Sequence, residues 1–422
     1  MDTIEDDMTA FPSNDVKVSH LLRFHETALS DPTWSMDGVG EADERRLLQE
    51  FPKCHSVYSS LRGRSREVIS DIAERMAGGM AEFVIKDLGQ GTADLVQYDR
   101  YCHFVAGLVG EGLSRLFSAS GLESPSLARE VRLSDRMGLF LQKTNIIRDY
   151  LEDYVDGRAF WPRTVWEKHS PTGDLGYFAT SKDDPDALGP SLACLNELVT
   201  DALELVPDCL SYLSRLRCEE VYRFCAIPQV MAIATLDKCY ANPDVFTGVV
   251  KIRKGLSCRL ILDASDRGGV SSAFHGFATS IADRAAAERE GGTHDPSRER
   301  TLRACDAILK RTKDRRGTAA GGTGGRSVWL VPLAAAAAVA VPLVSSRSNQ
   351  SRGQGGPSVP AALFAASLGL LGAYGLRSVG GTRGKGDHDP ADGDSHDDDA
   401  SSPTARPPRL TPAAEIEVSD EE

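Results

Sequence analysis

Leu139 to Asp153 reads LFLQKTNIIRDYLED, and the fold turns on how this stretch is read. At about 100° per residue, Gln142, Asn145, Asp149 and Asp153 share one stripe of a helix. Leu139, Ile146 and Tyr150 border the stripe on one side and Leu141 on the other, while Phe140, Ile147 and Leu151 take the opposite face. A surface helix has a broad polar face; here a narrow polar stripe runs between apolar walls. Carboxylates in such walls are costly unless paired or metal-bound. Donors that are all oxygen, with no His or Cys, suit a hard cation such as Mg²⁺, which keeps waters and bridges phosphate oxygens. The alternative is an ordinary buried ion pair to Lys143 or Arg148.

Outward from this stretch the same period recurs. Residues 1–30 read as helical, with a loop at Pro32, Gly38 and Gly40. Helical spacing follows over 54–87, 96–117 and 127–153. Residues 157–190 are rich in Gly, Pro and Asp and read as loop. Three more helices are expected over 191–216, 219–240 and 243–265. No run alternates convincingly with period two. The expectation is an all-α core, as one large bundle. The chain has 422 residues, enough to bury a core and enclose a pocket.

Charge divides the chain. The last 36 residues hold 12 Asp and Glu against two Arg, a net −10 out of −13 for the whole. The remainder is nearly balanced, and no nucleic-acid partner is expected. Residues 1–290 are assigned to the folded domain, 291–327 to a basic linker and 377–422 to an acidic disordered tail. Between the last two lie uncharged runs at 328–344 and 359–376, 17 and 18 residues long. Each is near the lower limit for crossing a bilayer, so one or two membrane segments are expected over 328–376. The nine cysteines form no CxxC and have no zinc spacing, which reads as buried, reduced thiols in a protein facing the cytosol.

A second acidic constellation stands at the N-terminus, Asp2-Thr3-Ile4-Glu5-Asp6-Asp7. Asp2, Glu5 and Asp6 share a helix face. Two acidic faces opposed across a bundle would clamp a diphosphate through metal ions and promote C–O ionisation. The resulting carbocation needs a dry cavity, for which Phe104, Leu108, Leu141, Phe224, Ile227 and Met231 are candidate walls. Arg158, just after Gly157, and the run Lys251-Ile252-Arg253-Lys254-Gly255 could meet phosphates. A solvated basic face is the plainer reading of that run. No GxGxxG follows a strand, so a Rossmann domain is not expected.

These strings, with YCHFVAGLVGEGLSRLFSAS (101–120), GRAFWP (157–162) and YRFCAIPQVMAIATL (222–236), resemble the eukaryotic squalene synthases over about residues 1–275. The resemblance implies an isoprenoid-synthase-type bundle around a central cavity, with a C-terminal anchor in the endoplasmic reticulum membrane and the catalytic domain facing the cytosol. It implies that two farnesyl diphosphates join head to head as presqualene diphosphate, which NADPH reduces to squalene, with Mg²⁺ required. Asp2, Glu5, Asp6, Asp149 and Asp153 then match the metal ligands, and Tyr101 the acid/base tyrosine. Arg148 and Arg158 match arginines near the diphosphates, with Gln142 and Asn145 beside the substrate. Phe224 and Gln229 match the pocket of the second half-reaction, and Lys251, Arg253 and Lys254 a flap for NADPH. Members of the family carry several dozen residues before the first acidic motif, so an N-terminal truncation, a frayed Asp2 and a weak or inactive chain are expected. A phytoene- or dehydrosqualene-type synthase and a non-catalytic homologue are the alternatives; the KIRKG run favours the reductive enzyme.

Overall fold

A computed structural model describes residues 1–180, 184–248, 250–291 and 295–316. Among these, every regular element is a helix. The first part comprises α1 (Asp2–Asp6), α2 (Asn14–Thr27), α3 (Ala42–Gln49), α4 (Phe51–Ser60) and α5 (Gly63–Val84). Then α6 (Leu95–Cys102) passes through a π-helical turn, His103–Gly107, into α7 (Leu108–Ser120). The centre is α8 (Val131–Arg148), followed by α9 (Tyr150–Val155) and α10 (Arg163–Trp166). The rest is α11 (Pro185–Leu203), α12 (Val206–Arg215), α13 (Glu219–Cys239), α14 (Lys254–Asp263), α15 (Arg267–Gly291) and α16 (Arg298–Arg316).

The middle helix is buried over most of its length and packs on α7, α11, α12, α13 and the π-helical turn. Two glycines let its neighbours approach. A Cβ on Gly138 would lie 2.2 Å from the Ala106 carbonyl oxygen, and one on Gly110 2.1 Å from that of Ser134. Both distances are far inside van der Waals contact, so any side chain there would push the α7 wall off α8.

Several boundaries differ from the sequence reading, each for a local reason. Residues 1–30 form two helices because Asp7 turns the chain: its carboxylate accepts from the backbone N–H groups of Thr9 at 2.9 Å and Ala10 at 2.8 Å. The 127–153 helix breaks at Asp149, whose φ of −96° and ψ of 15° leave the helical region. The region 157–190 is less of a loop than its composition suggests, because Trp161, Trp166 and Phe178 are buried there and anchor short helical turns. Within 243–265, a 3₁₀ turn covers Pro243–Phe246 and α14 starts only at Lys254.

The stretch read as a basic linker contains α16, and α15 runs past the expected boundary at 290. Thr301, Ala304, Cys305, Ile308 and Thr312 of α16 are buried, and the helix packs on α15, α11 and α12. Arg300 reaches Glu204 at 2.6 Å, and Thr301 hydrogen-bonds Thr200 at 2.6 Å. A high density of Lys and Arg hid one apolar face at helical spacing. All nine cysteines are free thiols, six of them buried. The runs at 328–344 and 359–376 and the tail lie outside the described residues. Among the described residues no helix is long and apolar enough to cross a membrane.

Candidate active site: acidic mouth and apolar cavity

The first acidic segment is ordered although it is one turn long. Ile4 and Glu5 are almost completely buried, and the amide N–H groups of both donate to the Met1 carbonyl at 2.9 Å. Fraying at Asp2 was the expectation; burial of the segment against α2 and α5 holds it instead. The buried Lys17 of α2 donates from Nζ to the Glu5 carbonyl at 2.9 Å, occupying one of the carbonyls that a helix end leaves without an intrahelical donor. Burial lowers the pKa of the Met1 ammonium, against the pull of Asp2, Asp6, Glu5 and Glu44.

Arg158 bridges to this segment from the loop after α9. Its Nη2 lies 2.7 Å from Glu5 Oε1 and its Nη1 2.6 Å from Asp6 Oδ1. The loop turns at Gly157, where φ is +74°, a conformation that glycine adopts at little cost. The Arg158 amide then donates to the Asp153 carbonyl at 2.9 Å. Arg158 therefore ties the first acidic segment to the second.

Asp149 sits at the α8–α9 break and is gripped by its neighbour. Arg148 Nε donates to Asp149 Oδ1 at 2.8 Å and Nη2 to Oδ2 at 2.5 Å. The hydrogen bonds from the Asp149 amide to the Asn145 carbonyl and from the Asp153 amide to the Asp149 carbonyl persist, at 2.8 and 3.0 Å, so the polar stripe survives the break. Lys143 takes no part in it: its buried ammonium lies 2.5 Å from both Asp99 and Asp201. The expected ion-pair alternative thus holds for Arg148 and fails for Lys143.

Burial governs the protonation of this mouth. The pKa of Asp153 is pushed well up by burial, with Asp149 and Asp6 adding to it and Arg158 opposing. Arg158, paired with Glu5 and Asp6 and bound through its amide to the Asp153 carbonyl, brings the two acidic segments around one space. Glu5 is raised to about 8, again chiefly by burial, which outweighs Arg158. Glu44 of α3, which no motif marked, is raised to about 7 by burial beside Asp2 and Asp6. Tyr101 borders the same space. Its phenol is held far above its ordinary pKa by burial and by the Glu5 charge. Its ring stacks on Phe160 at 4.3 Å and 15°, and meets Phe83 edge-on at 5.0 Å. Phe160 carries the Arg158 guanidinium 5.6 Å from its centroid. Phe160 sits in the GRAFWP string, but spacing alone gave it no role.

Further along α8 lies a partly open apolar cavity. Met137, Gly138 and Leu141 of α8 line it with Val109, Gly110 and Leu113 of α7 and Phe224, Cys225 and Gln229 of α13. Leu141 and Asp149 are eight positions apart, about 12 Å along a helix, so one helix serves both the mouth and the cavity. Of the six expected wall residues, Leu141 and Phe224 line the cavity. Phe104 packs onto Gly79, and Leu108, Ile227 and Met231 are core. Gln229 donates from Nε2 to the Met137 carbonyl at 3.0 Å, which leaves its buried Oε1 without a partner; the buried Oε1 of Gln142 lacks one too. Asn145 is half-buried in the stripe.

Lys251, Arg253 and Lys254 are exposed, and Arg253 and Lys254 stand at the N-terminal end of the ten-residue α14. Cationic side chains at such a helix end suit the phosphates of a dinucleotide. At the mouth, no three His, Cys, Asp or Glu groups among the described residues converge as a ready cation cage. The donors nevertheless fit Mg²⁺ chemically. They are all oxygen, Glu5 Oε2 is buried without a partner, and Mg²⁺ commonly takes only one or two carboxylates, completing its shell with water and phosphate oxygens.

The squalene/phytoene synthase family model matches residues 1–255. The chain is 48% identical over 281 residues to the squalene synthase of Mus musculus, covering 67% of this chain and 64% of that one. It is 47% identical to the Homo sapiens squalene synthase with the same coverage. The solved complex of TcSQS with the ligand BPH1237 matches with a TM-score of 0.67 at 39% identity, over 74% of this chain and 87% of that one. The chain thus spans just under two thirds of the length of the mouse and human relatives. The family match over most of the described helices, and the solved structure that shares their arrangement, agree: this chain belongs to the squalene/phytoene synthase family.

Proposed function

We propose that the chain catalyses squalene synthesis: head-to-head condensation of two farnesyl diphosphates to presqualene diphosphate, then reduction by NADPH. The observation that carries this reading is the convergence of both acidic segments, Arg158 and Tyr101 on one site, with an apolar cavity further along α8. Asp2, Glu5, Asp6, Asp149 and Asp153 would hold Mg²⁺, which when bound supplies charge neutralisation for a departing diphosphate. Arg148 and Arg158 donate planar pairs of N–H groups to phosphate oxygens, with Gln142 and Asn145 alongside. Tyr101 keeps its proton in the resting site. Placed beside the leaving group, its hydroxyl can relay the proton lost from carbon at cyclopropane closure to the departing diphosphate. Leu141, Phe224 and their neighbours exclude water from the carbocation. The unpartnered oxygen of Gln229 presents a negative dipole end to that charge. Lys251, Arg253 and Lys254 serve the phosphates of NADPH.

Farnesyl diphosphate and Mg²⁺, with and without NADPH, test this. Squalene is expected with NADPH and presqualene diphosphate without it. A phytoene-type product unaffected by NADPH would replace the reductive reading, and no turnover at all would leave a non-catalytic homologue. We extend the proposal to location: residues 328–376 anchor the protein in the endoplasmic reticulum membrane, with the catalytic domain cytosolic by the positive-inside rule. Protease accessibility of a tag after Glu422 in sealed microsomes separates two spans, which leave the tag exposed, from one span, which protects it.

A further inference from the structure

We propose that Arg158 and Arg148 are placeholders: in the substrate-free protein they occupy the positions of the cations, and they release the carboxylates only when a diphosphate arrives. The inference rests on the synthase reading of this site. Each acidic segment has one guanidinium on it. Arg158 spans Glu5 and Asp6 at 2.7 and 2.6 Å. Arg148 forks onto Asp149 through contacts of 2.8 and 2.5 Å. Both side chains are largely buried, with 14% and 19% exposure. A divalent cation cannot share those oxygens with a guanidinium without strong repulsion at short range in a poorly solvated site.

The arginines also match the carboxylates incompletely. Glu5 Oε2 stays buried without a partner while Oε1 is paired, so the resting site leaves one acceptor unfilled. A diphosphate resolves this mismatch. It offers each guanidinium two oxygens in matching planar geometry, draws the arginines off, and frees the carboxylates for cations that also bind the diphosphate. Arg158 is placed for such a swing, on the turn at Gly157 between Asp153 and Phe160. Cation and diphosphate must then bind with positive, reciprocal coupling. Arg148 and Arg158 act as positioning residues for metal entry in addition to their contacts with phosphate.

Mn²⁺ binding to the full chain, read by electron paramagnetic resonance with and without inorganic diphosphate, tests this. In the unsubstituted protein, diphosphate is expected to tighten protein-bound Mn²⁺ by roughly tenfold or more. Arg158→Gln is expected to bind Mn²⁺ about tenfold more tightly than the parent when diphosphate is absent, and to lose most of the coupling. A residue that merely supports the fold would give the opposite sign. Arg148→Gln is expected to show the same gain, and it stands in if Arg158→Gln does not fold. Equal or weaker Mn²⁺ binding in the folded variants, or no coupling in the parent, overturns the placeholder role. If squalene is still produced with NADPH in that case, the synthase reading stands without it. Loss of both would sink the two together.

Discussion

The mouth and the cavity share α8, yet they are built in opposite ways. The mouth is made of added charge: Arg158 meets Asp6 across 152 positions of sequence, and each acidic segment carries a guanidinium. The cavity is made of omission: glycines at 110 and 138 draw α7 and α8 together, and the wall around them carries few polar groups. The difference separates two demands of the proposed reaction. Ionisation needs concentrated, fixed charge. The cation that follows needs the absence of nucleophilic water. Placing the two about 12 Å apart along α8 and its C-terminal end lets a long prenyl chain lie with its diphosphate and reacting carbons at the mouth and its hydrocarbon tail toward the cavity.

This contrast can be broken from either side. The largest effect is expected at the mouth. Asp149→Asn and Asp153→Asn each remove an oxygen charge from the clamp and should lower turnover of farnesyl diphosphate about 10²-fold or more. Near-normal rates in both variants at limiting Mg²⁺ would show that these carboxylates are only ion-pair partners. Tyr101→Phe should slow presqualene diphosphate formation by roughly 10²-fold while substrate binding stays close to normal. The Phe160 stack is retained by phenylalanine, so a normal rate would reduce Tyr101 to a core aromatic.

Cavity changes sharpen the comparison with a smaller effect and a different product pattern. Phe224→Leu keeps the wall apolar but loses the edge contact with Phe117, whose centroid is 6.0 Å away. The first condensation should change little. Conversion to squalene should fall several-fold, with presqualene diphosphate accumulating. An equal fall in both steps would mean that mouth and cavity do not divide the work.

The smallest effect is a slope in stability. Glu5 has its folded pKa raised to about 8 from an ordinary 4.5. Between those values the unfolded chain releases its proton before the folded one does. Stability from this group therefore declines as pH rises through the window and is fully lost above it. Glu5→Gln should flatten melting temperature against pH between about 5 and 8. An unchanged profile would mean that Arg158 already holds Glu5 ionised.

Much of this was legible in the chain itself. The 3.6-residue period gave the all-α class, and LFLQKTNIIRDYLED gave a polar stripe between apolar walls before any coordinates. That stripe survives the break at Asp149 because the i to i+4 hydrogen bonds continue across it. The sequence also marked Asp2, Glu5 and Asp6, because acids crowd one helix face there, and Arg158, because it follows Gly157 on a loop shortly after Asp153. It missed α16, whose charged faces masked a single buried one, and it offered Ile227 and Met231 as candidate walls when they are core. Periodicity reports which face of a helix is apolar, but the choice of neighbour for that face is made by packing.

The sequence by itself determined the helical class and the chemical kinds of group at the site, since both follow from residue type and local spacing. Only the tertiary structure decided the pairings. Which carboxylates Arg158 takes, that Lys143 turns away to Asp99 and Asp201, that Tyr101 stacks on Phe160, and that Glu5 is buried all depend on segments far apart in the chain. Ion pairing and desolvation fall off over a few ångströms in space, and distance along a sequence carries almost no information about distance on that scale.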